Sequence, residues 1–228
     1  MEAGKKTQTD DCGDYQDAFR KKVFRLLKMG YDALIGERLD SNGLGAVSLK
    51  NEEEEHITGE MARAICKILE SRTSPKWVGR FAIHEDPPIH AQGRKGKRRK
   101  RVDIEFEWTR RGPRPRYPFE AKRLCRNTHA IGDYLGPKGL GEFLSGHYGA
   151  GRDEAGMAGY IQSDTPESWA VKAQKKFEKE PGKIKTHSDG NWREAVIINE
   201  LPYCFYSKHH RDSGDGPIEI YHVFFVFC

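Results

Sequence analysis

The sequence predicts a mixed α/β domain, a central β-sheet flanked by α-helices. Three observations carry that prediction. Residues 51–72, "NEEEEHITGEMARAICKILESR", set Ile57, Met61, Ile65 and Ile68 on one helical stripe. Residues 101–108, "RVDIEFEW", alternate strictly, with Val102, Ile104, Phe106 and Trp108 on one face and Asp103, Glu105 and Glu107 on the other. Residues 165–179 read as a further helix, and the apolar stretches 194–208 and 217–227 follow it as strands.

Taken in chain order, residues 1–13 offer no apolar period and are expected to be disordered. From about Asp14 to Met29, Phe19, Val23, Leu26 and Leu27 fit an amphipathic helix that Gly30 would end. Residues 36–50 are rich in Gly and Ser and read as a loop. At the start of the second helix, Asn51 is the expected N-cap, and four successive glutamates complement the positive end of the helix dipole. "KWVGRFAIH" (76–84) reads as a strand stopped by "EDPP". "RGPRPR" then turns the chain, so "YPFEAKRL" (117–124) becomes the hairpin partner of 101–108. Residues 128–162 are Gly-rich, with short helical pieces at "DYLG" and "GEFLSGHY" and an apolar "AGMAGYIQ". Thr165 as N-cap and Pro166 at the first helical position open the last helix, which Pro181 and Gly182 end. Residues 14–228 are expected to form a single domain.

Composition narrows the setting. With 36% hydrophobic and 32% charged residues the chain is polar, yet eleven Phe, nine Tyr and four Trp suffice to fill a core. No apolar run approaches the roughly 20 residues a membrane span needs, and the N-terminus lacks the apolar stretch of a secretory signal. Five scattered cysteines without a C-x-x-C pair argue for a reducing compartment and against structural zinc. A cytoplasmic location is the expectation. No Gly-rich phosphate loop, H-x-x-x-H spacing or Ser-His-Asp grouping is present to suggest other chemistries.

Charge is concentrated. Seven of the eight residues 94–101 are Lys or Arg, four more arginines lie in 110–116, and 94–116 carries a net charge of +8 against −3 for the remainder. Such a segment fits a phosphate backbone, and equally a disordered basic loop or a targeting signal. Beside it lies a candidate site. In "YPFEAKRL", Glu120 and Lys122 share one strand face while Phe119 and Ala121 take the other. On its own an E-x-K pair is an ordinary solvated face. Asp103, 17 residues earlier on the partner strand, changes the reading. Two converging carboxylates repel unless a cation lies between them, and hard oxygen donors suit Mg²⁺. A lysine beside that ion is placed to orient, or help deprotonate, an attacking water.

An Asp at the start of one strand, E-x-K on the next and a Glu-bearing helix ahead of both resemble the PD-(D/E)XK nuclease superfamily, which includes restriction endonucleases and nucleases of bacterial anti-phage defence. "FEAKRL", "GLGEFLSGHYG", "AGMAGYI" and the S-x-H-x-R of "SKHHR" are similar to defence-associated members. The resemblance implies a restriction-endonuclease-like mixed sheet with a core signature over 51–122, and a metal-dependent endonuclease that hydrolyses phosphodiester bonds, with DNA the expected substrate. Asp103, Glu120 and the Ala121 carbonyl would be ligands of Mg²⁺, for which Mn²⁺ substitutes, and Lys122 would assist the water. Glu54, three and seven residues before Ile57 and Met61, would join from the helix, with Glu53, Glu55 and Glu60 as rivals. Val102 stands where the superfamily name has proline, and Asp86, before two prolines, competes with Asp103. Nucleic-acid contacts are expected from Lys97, Arg98, Arg99, Lys100, Arg101, Arg123, His209 and Arg211. A homodimer or a defence-system partner protein is a further expected partner, and a membrane is not. The alternative class is a non-catalytic nucleic-acid-binding or partner-binding module on the same fold.

Overall fold

A computed structural model describes residues 8–40, 49–88, 101–109, 112, 114–148 and 151–228. It is a mixed α/β structure built on one seven-stranded sheet in the order β1-β2-β3-β4-β7-β6-β5. The strands are β1 (Phe81–Glu85), β2 (Ile104–Trp108), β3 (Arg116–Leu124), β4 (Glu154–Ile161), β5 (Arg193–Glu194), β6 (Cys204–His209) and β7 (Ile218–Val226). The first three form an antiparallel meander, in which β2 and β3 are the hairpin that the alternating pattern and the Pro/Gly turn predict and β1 adds to its β2 side. β4 runs parallel to both β3 and β7, and β6 and β5 complete the far side antiparallel.

Two helices cover one face, α1 (Gln8–Asp40) and α2 (Glu54–Glu70). Phe24, Leu27, Ile57, Met61 and Ile65 from these helices pack with Phe106, Phe119, Ala121 and Tyr160 of the sheet. Four shorter helices belong to the other face: α3 (Ile131–Tyr134), α4 (Leu140–Leu144), α5 (Pro166–Lys179) and α6 (Pro181–Ile184). Tyr134, Phe143, Trp169 and Phe177 pack there with Leu124, Met157 and Phe224. Thr165 caps α5, its hydroxyl accepting from the Ser168 N–H, with Pro166 opening the first turn. Among the described residues, no helix is long and apolar enough to cross a membrane.

Several expectations are corrected. Helix begins at Gln8, inside the stretch expected to be disordered, and passes through Gly30 to Asp40. Gly30 marks a crossing: a Cβ there would meet Ile65 Cγ1 at 2.3 Å, so its absence lets α1 and α2 approach closely. Asn51 is not the cap of α2; Glu53 occupies that position without a capping side-chain bond, and only Glu54 and Glu55 fall in the first turn. The expected long strand over 194–208 is two short ones separated by an irregular stretch.

"AGMAGYIQ" proves to be β4, in the middle of the sheet. Its glycines are there for the aromatic rings around them. A Cβ at Gly156 would come within 2.0 Å of the Phe119 ring, and one at Gly159 within 2.6 Å of the Phe224 ring. Val102 also departs from strict alternation, since it packs with the α3–α4 side while Ile104 and Phe106 pack with α1 and α2. The chain bends at Asp103, immediately before β2 begins.

Candidate functional site

The bend at Asp103 and the register of the hairpin build the site. Ile104 pairs with Phe119, so the next step of the ladder brings Asp103 beside Glu120. The bend frees the Asp103 carboxylate to accept a hydrogen bond from the Ala121 N–H at 2.6 Å. Phe119 and Ala121 anchor the other face of β3 in the core, leaving Glu120 and Lys122 to point the same way. From the start of α2, Glu54 reaches across to that same point.

Lys122 lies at the centre. Its Nζ donates to Glu54 Oε1 at 2.6 Å and to the Ala121 carbonyl at 2.7 Å, and lies 2.9 Å from Glu120 Oε1 and 4.0 Å from Asp103 Oδ2. One ammonium therefore serves three carboxylates. Glu120 is the most enclosed, its side chain 5% exposed, and its Oε2 is buried with no hydrogen-bond partner among the described residues. Glu54 is the helix acid in the cluster, whereas of its rivals Glu53 pairs with Arg123, Glu60 pairs with Arg63 and Glu55 is exposed.

Proton affinities follow from this crowding. Burial, with the nearby Asp103 charge, pushes Glu120 up to about 9. Asp103 is pushed up to about 6 by burial, against the pull of Lys122 and of the Ala121 N–H. Burial works to lower Lys122, but Glu120, Asp103 and Glu54 outweigh it and raise it above the ordinary lysine value. Lys122 is an ammonium here.

Neighbouring residues hold these groups in place. Arg123 donates from its N–H to Glu54 Oε2 at 3.1 Å and from its guanidinium to the Glu53 carboxylate and the Glu52 carbonyl. Buried Gln162, just past β4, donates to the Leu49 and Glu52 carbonyls at 2.7 and 2.9 Å. Tyr148 donates to the Arg101 carbonyl at 2.5 Å, steadying the chain two residues before Asp103. Burial and the charges of Glu120, Glu142 and Asp103 raise the phenol, so it stays neutral. Sequence reasoning missed Gln162 and Tyr148, because each acts through a main-chain carbonyl and leaves no motif.

The expected nucleic-acid contacts fare unevenly. Lys97, Arg98, Arg99 and Lys100 lie outside the described residues. Arg101 faces solvent but binds Asp86, through both its carboxylate and its carbonyl at 2.7 Å, so the rival acid Asp86 is committed to that pair. The Arg123 guanidinium turns inward to the start of α2. Arg114 and Arg116 also turn back, onto Glu107 and Glu105, so the acidic face of β2 is buried under arginines.

His209 and Arg211 are corrected outright. His209 is fully buried, its Nδ1 2.7 Å from the Ile184 carbonyl and its Nε2 2.7 Å from Ser207 Oγ. Ser207 Oγ is in turn 2.8 Å from His222 Nε2, and His222 Nδ1 lies 3.0 Å from the Tyr134 hydroxyl. Arg211 donates to the carbonyls of Gly216, Arg152 and Asp215. Both residues brace the fold. Burial lowers His209 to about 4, from an ordinary 6.5. A folded value below the unfolded one means stability fully present above pH 6.5 and lost as pH falls from there through 4. His209 alone is expected to remove about 3 kcal/mol of unfolding free energy over that window, read by urea unfolding at stepped pH, and His209→Gln should flatten the slope.

Whether these residues fit a divalent cation turns on the donor set. Among the described residues, no three His, Cys, Asp or Glu side chains are grouped so as to hold a metal ion. Here the candidate donors are two carboxylates, Asp103 and Glu120, and the Ala121 carbonyl, a main-chain oxygen. The Glu120 Oε2 is buried without a hydrogen-bond partner among the described residues, and burial first of all raises both carboxyls, so ionising the pair leaves charge in a poorly solvated place that a cation would offset. Hard oxygens with unmet charge fit Mg²⁺. Against protein-family models, curated proteins and solved structures alike, the chain finds no match.

Proposed function

We propose that this protein is a Mg²⁺-dependent nuclease of restriction-endonuclease-like fold, hydrolysing phosphodiester bonds of DNA. One observation carries the reading: the Lys122 ammonium is shared by Glu54, Glu120 and Asp103 around the Ala121 carbonyl, with one buried carboxylate oxygen left unpartnered. The finer fold is supported by the contact of a Glu-bearing helix, an Asp-bearing strand end and an E-x-K strand in α2, β2 and β3.

Asp103, Glu120 and the Ala121 carbonyl would hold the ion, which when bound polarises a phosphodiester oxygen and acidifies a water. The rest of the chemistry belongs to the chain. As an ammonium, Lys122 does not take a proton from water; it orients water and phosphate and offsets the negative charge that builds as water adds to phosphorus. Glu54 holds Lys122 on target, and Arg123 and Gln162 hold the helix start that carries Glu54. Supercoiled duplex DNA incubated with the protein is expected to be cleaved with MgCl₂ and to stay intact with EDTA. Salt-sensitive binding with no cleavage would return the chain to the non-catalytic class.

A further inference from the structure

A cleft of about 650 Å³ opens where α3 and α4 face the end of α5 and α6. Small-molecule sites typically fall between about 300 and 1,000 Å³. Its apolar wall comes from Leu135, Leu144 and Ile184, and four lysines, Lys138, Lys176, Lys183 and Lys185, stand around it. Three of those ammoniums share two carboxylates: Lys176 and Lys183 both approach Glu180, at 3.1 and 3.4 Å, and Lys185 pairs with Asp212. Glu142, the remaining acid of the lining, is 3.5 Å from His147. Lys138 has no carboxylate partner among the described residues.

Gly132 also lines the cleft, and a Cβ there would meet nothing within 4 Å. Packing therefore does not require glycine at 132; the missing side chain leaves space in the cleft. An apolar wall beside an under-compensated ring of lysines is complementary to one kind of ligand. We infer that this cleft binds a small amphipathic anion, its apolar body against Leu135, Leu144 and Ile184 and its carboxylate, sulfonate or phosphate toward Lys138 and the neighbouring lysines. The site is separate from the Lys122 cluster and does not depend on the nuclease reading.

The test is a titration of the folded protein with 1-anilinonaphthalene-8-sulfonate, an apolar ring system bearing one sulfonate, followed by fluorescence and by calorimetric stoichiometry. One saturable site is expected, weakened by added salt. Lys138→Glu should weaken it roughly three- to tenfold, as loss and reversal of one exposed charge predicts. Gly132→Leu should fill the cleft and weaken binding about tenfold or more, the equivalent of losing about 1.4 kcal/mol. Wild-type circular dichroism in both variants ties these losses to the cleft. Displacement of the probe by octanoate or by adenosine monophosphate supports the inference, and whichever anion displaces it identifies the apolar body as aliphatic or heterocyclic. No saturable binding to the wild type, binding that neither substitution weakens, or a probe that neither anion displaces overturns it.

Discussion

Lys122→Met should destabilise the protein by about 2–4 kcal/mol at pH 8, and by much less at pH 5. Removing the ammonium leaves the Glu54 and Asp103 carboxylates facing one another with no positive charge between them, beside a buried Glu120 that keeps its proton. Breaking a buried pair from one side costs more than the pair is worth, because the surviving charge stays in a poor dielectric. The lower part of that range applies because Glu54 and Asp103 keep 25% and 26% of their side-chain surface exposed. Acid neutralises the carboxylates and removes the penalty, and so should added MgCl₂. Urea unfolding at the two pH values, with and without the cation, measures this. A loss equal under all conditions would mean that Lys122 acts through its packing and not its charge.

Glu120→Gln should do the opposite, raising stability in metal-free buffer above neutral pH while ending cation-dependent cleavage. The folded value of Glu120, about 9, lies above its ordinary 4.5, so its favourable contribution is complete below pH 4.5 and is lost as pH rises toward 9. An amide never ionises and escapes that loss. At about 1.4 kcal/mol per pH unit, the roughly 3.5 units between pH 4.5 and pH 8 should give the variant an advantage on the order of 5 kcal/mol, absent at pH 4, provided the amide finds the space the carboxylate held. A residue that weakens the fold and is nonetheless present fits a site in which chemistry takes precedence over stability. Thermal melts of both proteins across pH, alongside cleavage assays, separate the two effects.

Much of this was legible in the residues. The hairpin followed from alternation in "RVDIEFEW" and the Pro/Gly turn, and α5 from Thr165–Pro166, because both rest on local rules that neighbours do not override. The convergence of Asp103, Glu120 and Lys122 followed from the hairpin, since an antiparallel register joins what sequence separates by 17 residues. Glu54 needed the fold, because four successive glutamates look alike until α2 is set against β3. β4 stayed hidden in a Gly-rich stretch to which no strand was assigned, and its glycines serve as room for Phe119 and Phe224. His209 was misread for a related reason: polar letters after a strand suggest surface, whereas a buried chain of hydrogen bonds through Ser207 and His222 satisfies them inside.

Asp103→Asn gives the cleanest probe of the central claim. The amide oxygen still accepts from the Ala121 N–H, and one negative charge leaves a cluster that has too many, so the fold should hold and Lys122 should keep its partners. The measurement is the rate of cleavage of supercoiled duplex DNA by wild type and Asp103→Asn, each in MgCl₂ and in EDTA, with matched circular dichroism. Wild type should cleave in MgCl₂ alone, and the folded variant should fall to background. Cleavage by Asp103→Asn at the wild-type rate, or wild-type cleavage undiminished in EDTA, would contradict a cation-dependent site built on Asp103, Glu120 and Lys122.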